Sequence, residues 1–393
     1  MKLAKRMIGI GTETAFEAAG KARAWEAQGH KVIHLEVGEP DFDTPVNIRE
    51  AAKKALDDGW THYPPPLGLP VLREAIARDS SKRRGFQVDP ANVVVTPGAK
   101  PIMFYALLAL IDAGDEVIYP DPGFPIYESM TRYAGGTPVP YPLRELADFR
   151  FDPDELRSLV TPRTKMIILN SPHNPTGGVL TREDLEAIAD VARERDITVL
   201  ADEIYGRGVY DGEQVSIASF PAMAERTIVL DGFSKAYAMT GWRLGYAIVP
   251  PSLVDAYSKL IINSVSGTSA FQQVAAAEAL NGPQDSVDAM AAEFRARRDL
   301  IVGGLNRIPG IRCRMPSGAF YAFPNVSGTG MTGSELADKL LYEGGVCVLG
   351  GTAFGKVCPD HIRISYANSQ ANLRRALERF EEVVSKQPAA ASA

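Results

Sequence analysis

Through the middle of the chain, short and almost wholly apolar runs alternate with longer amphipathic stretches. The runs "NVVVTPG" (92–98), "DEVIYPDPG" (115–123), "KMIILNSP" (165–172), "ITVLADE" (197–203), "RTIVLDG" (226–232) and "RLGYAIVP" (243–250) each end in turn chemistry and read as strands. They lack the apolar–polar alternation of a strand buried on one face only. Both faces of the sheet must therefore be covered, as in a mainly parallel sheet. The intervening segments carry helical periodicity. In "TREDLEAIADVARER" (181–195), Thr181 is set to cap the helix, with Asp184 at the N3 position of a capping-box-like arrangement. Leu185, Ile188, Ala189 and Ala192 then form one apolar stripe. The pattern predicts an α/β fold, with a three-layer large domain built on a mainly parallel sheet.

The C-terminal third changes character. A long helical stretch near 284–308 is followed by "GAFYAFPN", "SELADKLLYEGGVCVLGG" and "HIRISYANSQANLRRALERFEEVV", mixing short strands with amphipathic helices. The expected division is a large domain over 46–283 and a smaller α+β domain made of 284–393 together with residues 1–45. That N-terminal segment shows one amphipathic helix, roughly 14–29 by periodicity, and then "VIHLEVGEPDF". The tail "QPAAASA" is the one low-complexity stretch and reads as frayed.

Composition narrows the function. The chain has 393 residues, 45% hydrophobic and 23% charged, enough to bury a large core without disulfides. Net charge is −6 and the basic residues are dispersed, which argues against a nucleic-acid surface. No run approaches a membrane span, and "MKLAKRMIGIG" has no apolar core of signal-peptide length, so a cytoplasmic protein is expected. Cys313, Cys347 and Cys358 lack CxxC spacing and read as reduced thiols. The five histidines show no HExxH or paired spacing, and no metal site is expected.

In open parallel sheets, ligands bind beyond the carboxyl ends of the strands. The polar residues that interrupt this chain fall there. Pro97-Gly98-Ala99-Lys100 leads from a strand into "PIMFYALLALI", offering free N–H groups and a positive helix end to a phosphate. Alone this is weak, since most such turns bind nothing. Asn174 sits in "NSPHNPTGG", where bonding its own backbone would suffice as an explanation. Asp202 ends a buried strand and needs a partner; a structural role would account for it, but not for the phenol of Tyr205 three residues on. Gly232-Phe-Ser234-Lys235 follows the next strand. Buried lysines shift their pKa readily and recur as Schiff-base formers. Arg243 has the planar fork that suits a phosphate.

Taken in order, "VGEPDFDTP" (37–45), "THYPPPLGLPVLREAIA" (61–77), "TPGAKP", "NSPHNPTGG", "ADEIYG", "FSKAYAMTGWRLGY" and "HIRISYA" (361–367) resemble the class I/II aminotransferase family, aspartate-aminotransferase-like fold type I enzymes that use pyridoxal 5′-phosphate. The resemblance implies that Lys235 carries the cofactor as a Schiff base and that Asp202 pairs with the pyridine nitrogen. It implies that Tyr205 and Asn174 bond the ring hydroxyl, and that Phe124 stacks on the ring. Gly98, Ala99, Lys100, Ser234 and Arg243 would hold the phosphate. Tyr63 would reach the neighbouring subunit's phosphate, which implies a homodimer with shared active sites. Arg363, with Gly38 and Asn174, would take the substrate α-carboxylate. The implied reaction moves an amino group from an L-amino acid to a 2-oxo acid.

Two positions depart from the commonest pattern of that family: His173, where a second asparagine is frequent, and Lys100, where a small polar residue often sits. Lys100 has two equal readings, a side-chain-carboxylate contact of an aspartate/glutamate-type enzyme, or a phosphate or surface lysine. Ala15, Phe16, Tyr127 and Ser266 are expected to shape side-chain selectivity. The main alternative is other pyridoxal-phosphate chemistry on the same scaffold, such as C–S lyase, decarboxylase, oxidase or C–C bond formation. "GGTAFGK" (350–356) is a poor phosphate-binding loop, lacking a hydroxyl residue after its lysine. An adjacent Ser234–Lys235 hydrolase dyad is disfavoured because neighbours on a strand end point apart.

Overall fold

The computed structural model describes residues 1–8 and 10–386; the tail read as frayed lies outside them. Twelve strands are formed among the described residues. They are β1 (Ile33–His34), β2 (Val93–Thr96), β3 (Glu116–Asp121), β4 (Thr137–Pro142), β5 (Thr164–Asn170), β6 (Thr198–Asp202), β7 (Thr227–Gly232), β8 (Gly245–Ile248), β9 (Tyr321–Ala322), β10 (Val346–Cys347), β11 (Leu349–Gly350) and β12 (Ile362–Ser365). Seven build one sheet in the order β2-β8-β7-β6-β5-β3-β4. The pairs from β4 through β7 are parallel, and β8 runs antiparallel to both neighbours. Every residue of β2, β3, β7 and β8 is buried, as their unbroken apolar character requires.

The edge strand β4, with the sequence TPVPYP, was not foreseen. It carries three prolines and pairs with β3 alone among the described strands. Proline's missing N–H costs nothing on the side of a strand that has no neighbour. The helix at 181–195 forms as Arg182–Glu194, with the Thr181–Asp184 capping box in place. The stretch near 284–308 becomes Asp285–Leu305.

The N-terminal helix runs over Thr14–Glu26, shorter than its periodicity suggested, and buries only Ala19 and Ala22. Beyond it, β1 pairs in parallel with β10, Ile33 opposite Val346, so the first segment joins the C-terminal third. There β11, β12 and β9 make an antiparallel sheet. Cys313, Cys347 and Cys358 are free and buried.

Register delivers the polar strand ends side by side. Asn170 at the end of β5 lies opposite Asp202 at the end of β6, and Asp202 lies opposite Leu230 of β7. A buried ion-pair network underlies them. Arg84, the last residue of the helix Pro70–Arg84, donates through Nε to Glu203 (2.7 Å) and through a terminal nitrogen to Asp231 (2.6 Å). Asp231 also accepts from Arg83 (2.9 Å), Tyr246 (2.8 Å) and the Gly232 N–H (2.7 Å), and Glu203 accepts from Ser216 (2.6 Å). The two arginines hold the Asp231 carboxyl down at about 2 against the effect of burial, which acts the other way. Removing one partner of such a buried pair strands a charge, at about 3–5 kcal/mol. Arg84→Met is expected to lose that much stability in denaturant unfolding, whereas a loss under about 1 kcal/mol would mean the network is solvated.

Candidate active site

Five strand ends and the N-terminal segment enclose a cavity of about 500 Å³. At the end of β2 the chain turns through Gly98 at φ +89°, and Thr96 Oγ1 donates to the Gly98 carbonyl (2.7 Å). The helix Lys100–Leu110 starts there, leaving its first N–H groups without intrahelical acceptors. Arg243, itself in the left-handed region at φ +52°, donates to Thr240 O (2.9 Å) and lays its guanidinium where a Gly98 Cβ would stand. Ser234 lines the same end of the cavity. Glycine turn, helix N-terminus, hydroxyl and guanidinium together make a cradle that could hold a phosphate.

Asp202 faces the cavity from the end of β6. Tyr127 Oη donates to its Oδ2 (2.6 Å) and the Ile204 N–H to its Oδ1 (3.2 Å). Burial raises the Asp202 carboxyl to about 6, and these two bonds oppose the rise. A buried carboxylate of this kind accepts a cationic partner readily. Across the cavity, Lys235 donates to the Gly38 carbonyl (2.7 Å) and is pushed down to about 8, chiefly by burial.

The remaining donors are tied together behind these two. Asn170 Nδ2 donates to the Asp202 carbonyl (3.1 Å), and its Oδ1 accepts from the Asn174 N–H (2.8 Å). Asn174 Oδ1 accepts from Arg363 (3.0 Å). Arg363 also donates to Glu36 O and lies over the rings of Tyr321 (4.5 Å) and Phe354 (4.8 Å). Its buried Nε has no hydrogen-bond partner among the described residues. A guanidinium in the cavity wall that keeps an unpaired donor suits a carboxylate. Tyr205 and Tyr321 share a hydroxyl–hydroxyl bond (2.7 Å).

Lys100 points away from the phosphate cradle. Its ammonium pairs with Glu13 and lies 5.9 Å from the Phe16 ring and 5.7 Å from the Phe124 ring. Phe124 lines the cavity edge-on to Tyr127 (5.6 Å). Of the expected residues, Gly38, Ala99, Lys100, Phe124, Asn174, Asp202, Tyr205, Ser234, Lys235, Arg243 and Arg363 all line this one cavity, and Gly98 supports it beneath Arg243.

Tyr63 and Ser266 are not brought into it. Tyr63 stands 89% exposed, and Ser266 occupies a left-handed turn after the helix Val254–Ser264, outside the cavity lining. His173 is buried outside it, bonded to Thr176 Oγ1 (2.8 Å) and pushed down to about 3 by burial, so it is neutral. In "GGTAFGK" the Lys356 N–H bonds the Asp121 carboxylate (3.1 Å) instead of facing an open cradle.

Sequence reasoning missed Asn170, Tyr321 and Glu13, and placed Tyr127 only as a pocket wall. Asn170 could have been found from its position as the polar terminus of an apolar strand. The other three face the site through long-range packing that no local pattern carries.

A lowered lysine amine, a buried carboxylate and a phosphate cradle around one cavity define an enzyme built for an aromatic aldehyde cofactor bearing a phosphate. The sequence profile of the family "Aminotransferase class I and II" matches residues 30–380. The aspartate aminotransferase of Pyrococcus horikoshii is 42% identical over 356 residues, covering 90% of each chain. Aromatic-amino-acid aminotransferase 2 of Thermococcus litoralis is 42% identical, covering 91% of this chain and 93% of its own. Among solved structures, aspartate aminotransferase from Thermus thermophilus with maleate superposes with a TM-score of 0.94 at 39% identity, over 98% of this chain and all of the other. The chain belongs to the class I and II aminotransferase family. It has the type I fold of pyridoxal-phosphate transferases and is a pyridoxal-phosphate-dependent aminotransferase acting on amino acids and 2-oxo acids.

At Gly38 an added Cβ would fall on the Tyr321 hydroxyl, with its ring carbon Cζ at 2.8 Å. Overpacking of this kind costs about 1–3 kcal/mol. Gly38→Ala should lower stability by that amount in denaturant unfolding; an unchanged midpoint would show that the loop yields freely.

Proposed function

We propose that this aminotransferase takes dicarboxylic amino acids of the aspartate/glutamate type, with Arg363 receiving the α-carboxylate and Lys100 the side-chain carboxylate. The observation that carries this reading is the second cation. Lys100 lines the same cavity as Arg363 and turns its ammonium toward Phe16 and Phe124 and away from the phosphate cradle.

The chain's own groups divide the work. Lys235 would anchor the cofactor covalently, and its Nζ, when free, would accept the proton from the substrate Cα. Asp202, steadied by Tyr127, would keep the ring nitrogen protonated, while Tyr205 and Asn174 would bond the ring hydroxyl. Phe124 would cover the ring face. Gly98, Ala99, Ser234 and Arg243 would hold the phosphate. When bound, the cofactor supplies an electron sink. Arg363, assisted by Asn174 and Gly38, fixes which bond at Cα stands ready to break.

The reading includes a homodimer, with Tyr63 reaching the partner's phosphate. It is supported by the exposure of this phenol outside its own cavity. It also includes a large domain over 46–283 and a small one from 1–45 and 284–393, supported by the β1–β10 pairing. No helix among the described residues is long and apolar enough to cross a membrane; a cytoplasmic setting is part of the proposal.

Lys100→Ala should lower kcat/KM for aspartate and glutamate roughly ten- to a hundredfold relative to alanine, the worth of a hydrogen bond to a charged group. An unchanged order of substrates would refute the dicarboxylic reading. Lys235→Ala should abolish the visible chromophore and slow transamination by at least about a hundredfold. Because only the neutral amine is nucleophilic, cofactor capture by the apoenzyme should accelerate as pH rises through about 8 and then level off. Capture at a constant rate between roughly pH 6.5 and 9.5 would contradict the assignment.

A further inference from the structure

Glu13 immediately precedes the helix Thr14–Glu26, where an acidic side chain ordinarily turns back to satisfy the helix's own N–H groups. It makes no such bond. Instead the carboxylate reaches to Lys100, eighty-seven residues away in sequence, and forms an ion pair in the wall of the cavity. Its side chain is 19% exposed, while that of Lys100 is 49% exposed. The ammonium is flanked by Phe16 from the same helix and by Phe124. Lys100 therefore already holds a carboxylate, supplied by the protein.

We propose that Glu13 is a specificity-determining residue. Its carboxylate occupies Lys100 as an internal competitor, so that a dicarboxylic substrate must exchange with it while an uncharged side chain need not. The inference rests on the reading of Lys100 as the partner of the side-chain carboxylate. Exchange of one carboxylate for another must release Glu13, so the gain from a substrate's second carboxylate is reduced by the worth of that exposed pair without being cancelled. Apolar or aromatic side chains meet Phe16 and Phe124 beside a charge that is already neutralised. This wall of the cavity thus serves both substrate classes, at the expense of discrimination between them. Glu13 also lies in the field of Lys235 and Arg363, which gives it a second possible target. A mutant cycle with Lys100 separates the two.

The test uses the holoenzyme and unreactive ligands: maleate as the dicarboxylate and 4-methylpentanoate as the monocarboxylate. Dissociation constants are read from the change in cofactor absorbance, for the wild type, Glu13→Gln, Lys100→Ala and the double variant. Retention of the chromophore in each variant reports an intact site. Glu13→Gln should raise the ratio of maleate to monocarboxylate affinity roughly two- to fivefold, the range expected for releasing a partly exposed ion pair. In the Lys100→Ala background the same substitution should leave that ratio unchanged. If Glu13→Gln does not move the ratio while Lys100→Ala lowers it, the Glu13 inference falls and the Lys100 reading stands. If neither substitution moves it, the Lys100 reading has failed and the inference with it. An equal rise with and without Lys100 would assign Glu13 to Arg363 or Lys235 and overturn the pairing.

Discussion

The structure turns on one buried cation. Arg84 binds Glu203, the residue after Asp202, and Asp231, four residues before Lys235, and so pins the ends of β6 and β7 to each other from below. Without it, two carboxylates would stand buried next to a third, that of Asp202. Asp231 opposes the ionisation of Asp202, and Arg83 and Arg84 offset that charge. The desolvation cost of such a network is high, and its net worth to stability is small. Its value here is geometric and electrostatic, since both reactive groups hang from the strands it joins.

Above that network, one cause acts in opposite directions. Desolvation pushes Lys235 down and Asp202 up, because in each case burial disfavours the charged form. The lysine becomes available as a neutral amine near physiological pH, and the carboxylate is left with an unmet demand for a cation. The apolar packing that makes the sheet therefore also sets an amine and a carboxylate, each with its charged form disfavoured, on one cavity, which suits the cofactor roles proposed above for Lys235 and Asp202. Arg363 is buried as well, and its Nε has no hydrogen-bond partner among the described residues.

Much of this was legible from the chain. The parallel core announced itself through runs such as "KMIILN" and "RTIVLD", whose apolarity on both faces left few alternatives, and the capping box at Thr181 marked its helix to the residue. The site was legible because polar residues at the ends of apolar strands have few structural excuses. β4 was hidden because proline's meaning depends on whether a neighbouring strand exists, which is a tertiary fact. Tyr321 and Glu13 were hidden for a similar reason, as was the bond to Asp202 from Tyr127, which was expected only as a pocket wall: each acts on a residue far away in sequence. Ser266 was assigned to the pocket without any local signal, and it lies elsewhere.

The helix Thr14–Glu26 buries only Ala19 and Ala22, whereas β6 and β7 are buried almost throughout. Asp202 and Lys235 hang from this buried layer, whereas the residues proposed to meet the variable part of the substrate include those on this lightly anchored helix and the turn before it. Mutational tolerance is therefore unevenly distributed around one cavity. A lineage could drift in diet through single changes along residues 13–16 without disturbing the reaction itself, a division that makes the scaffold evolvable.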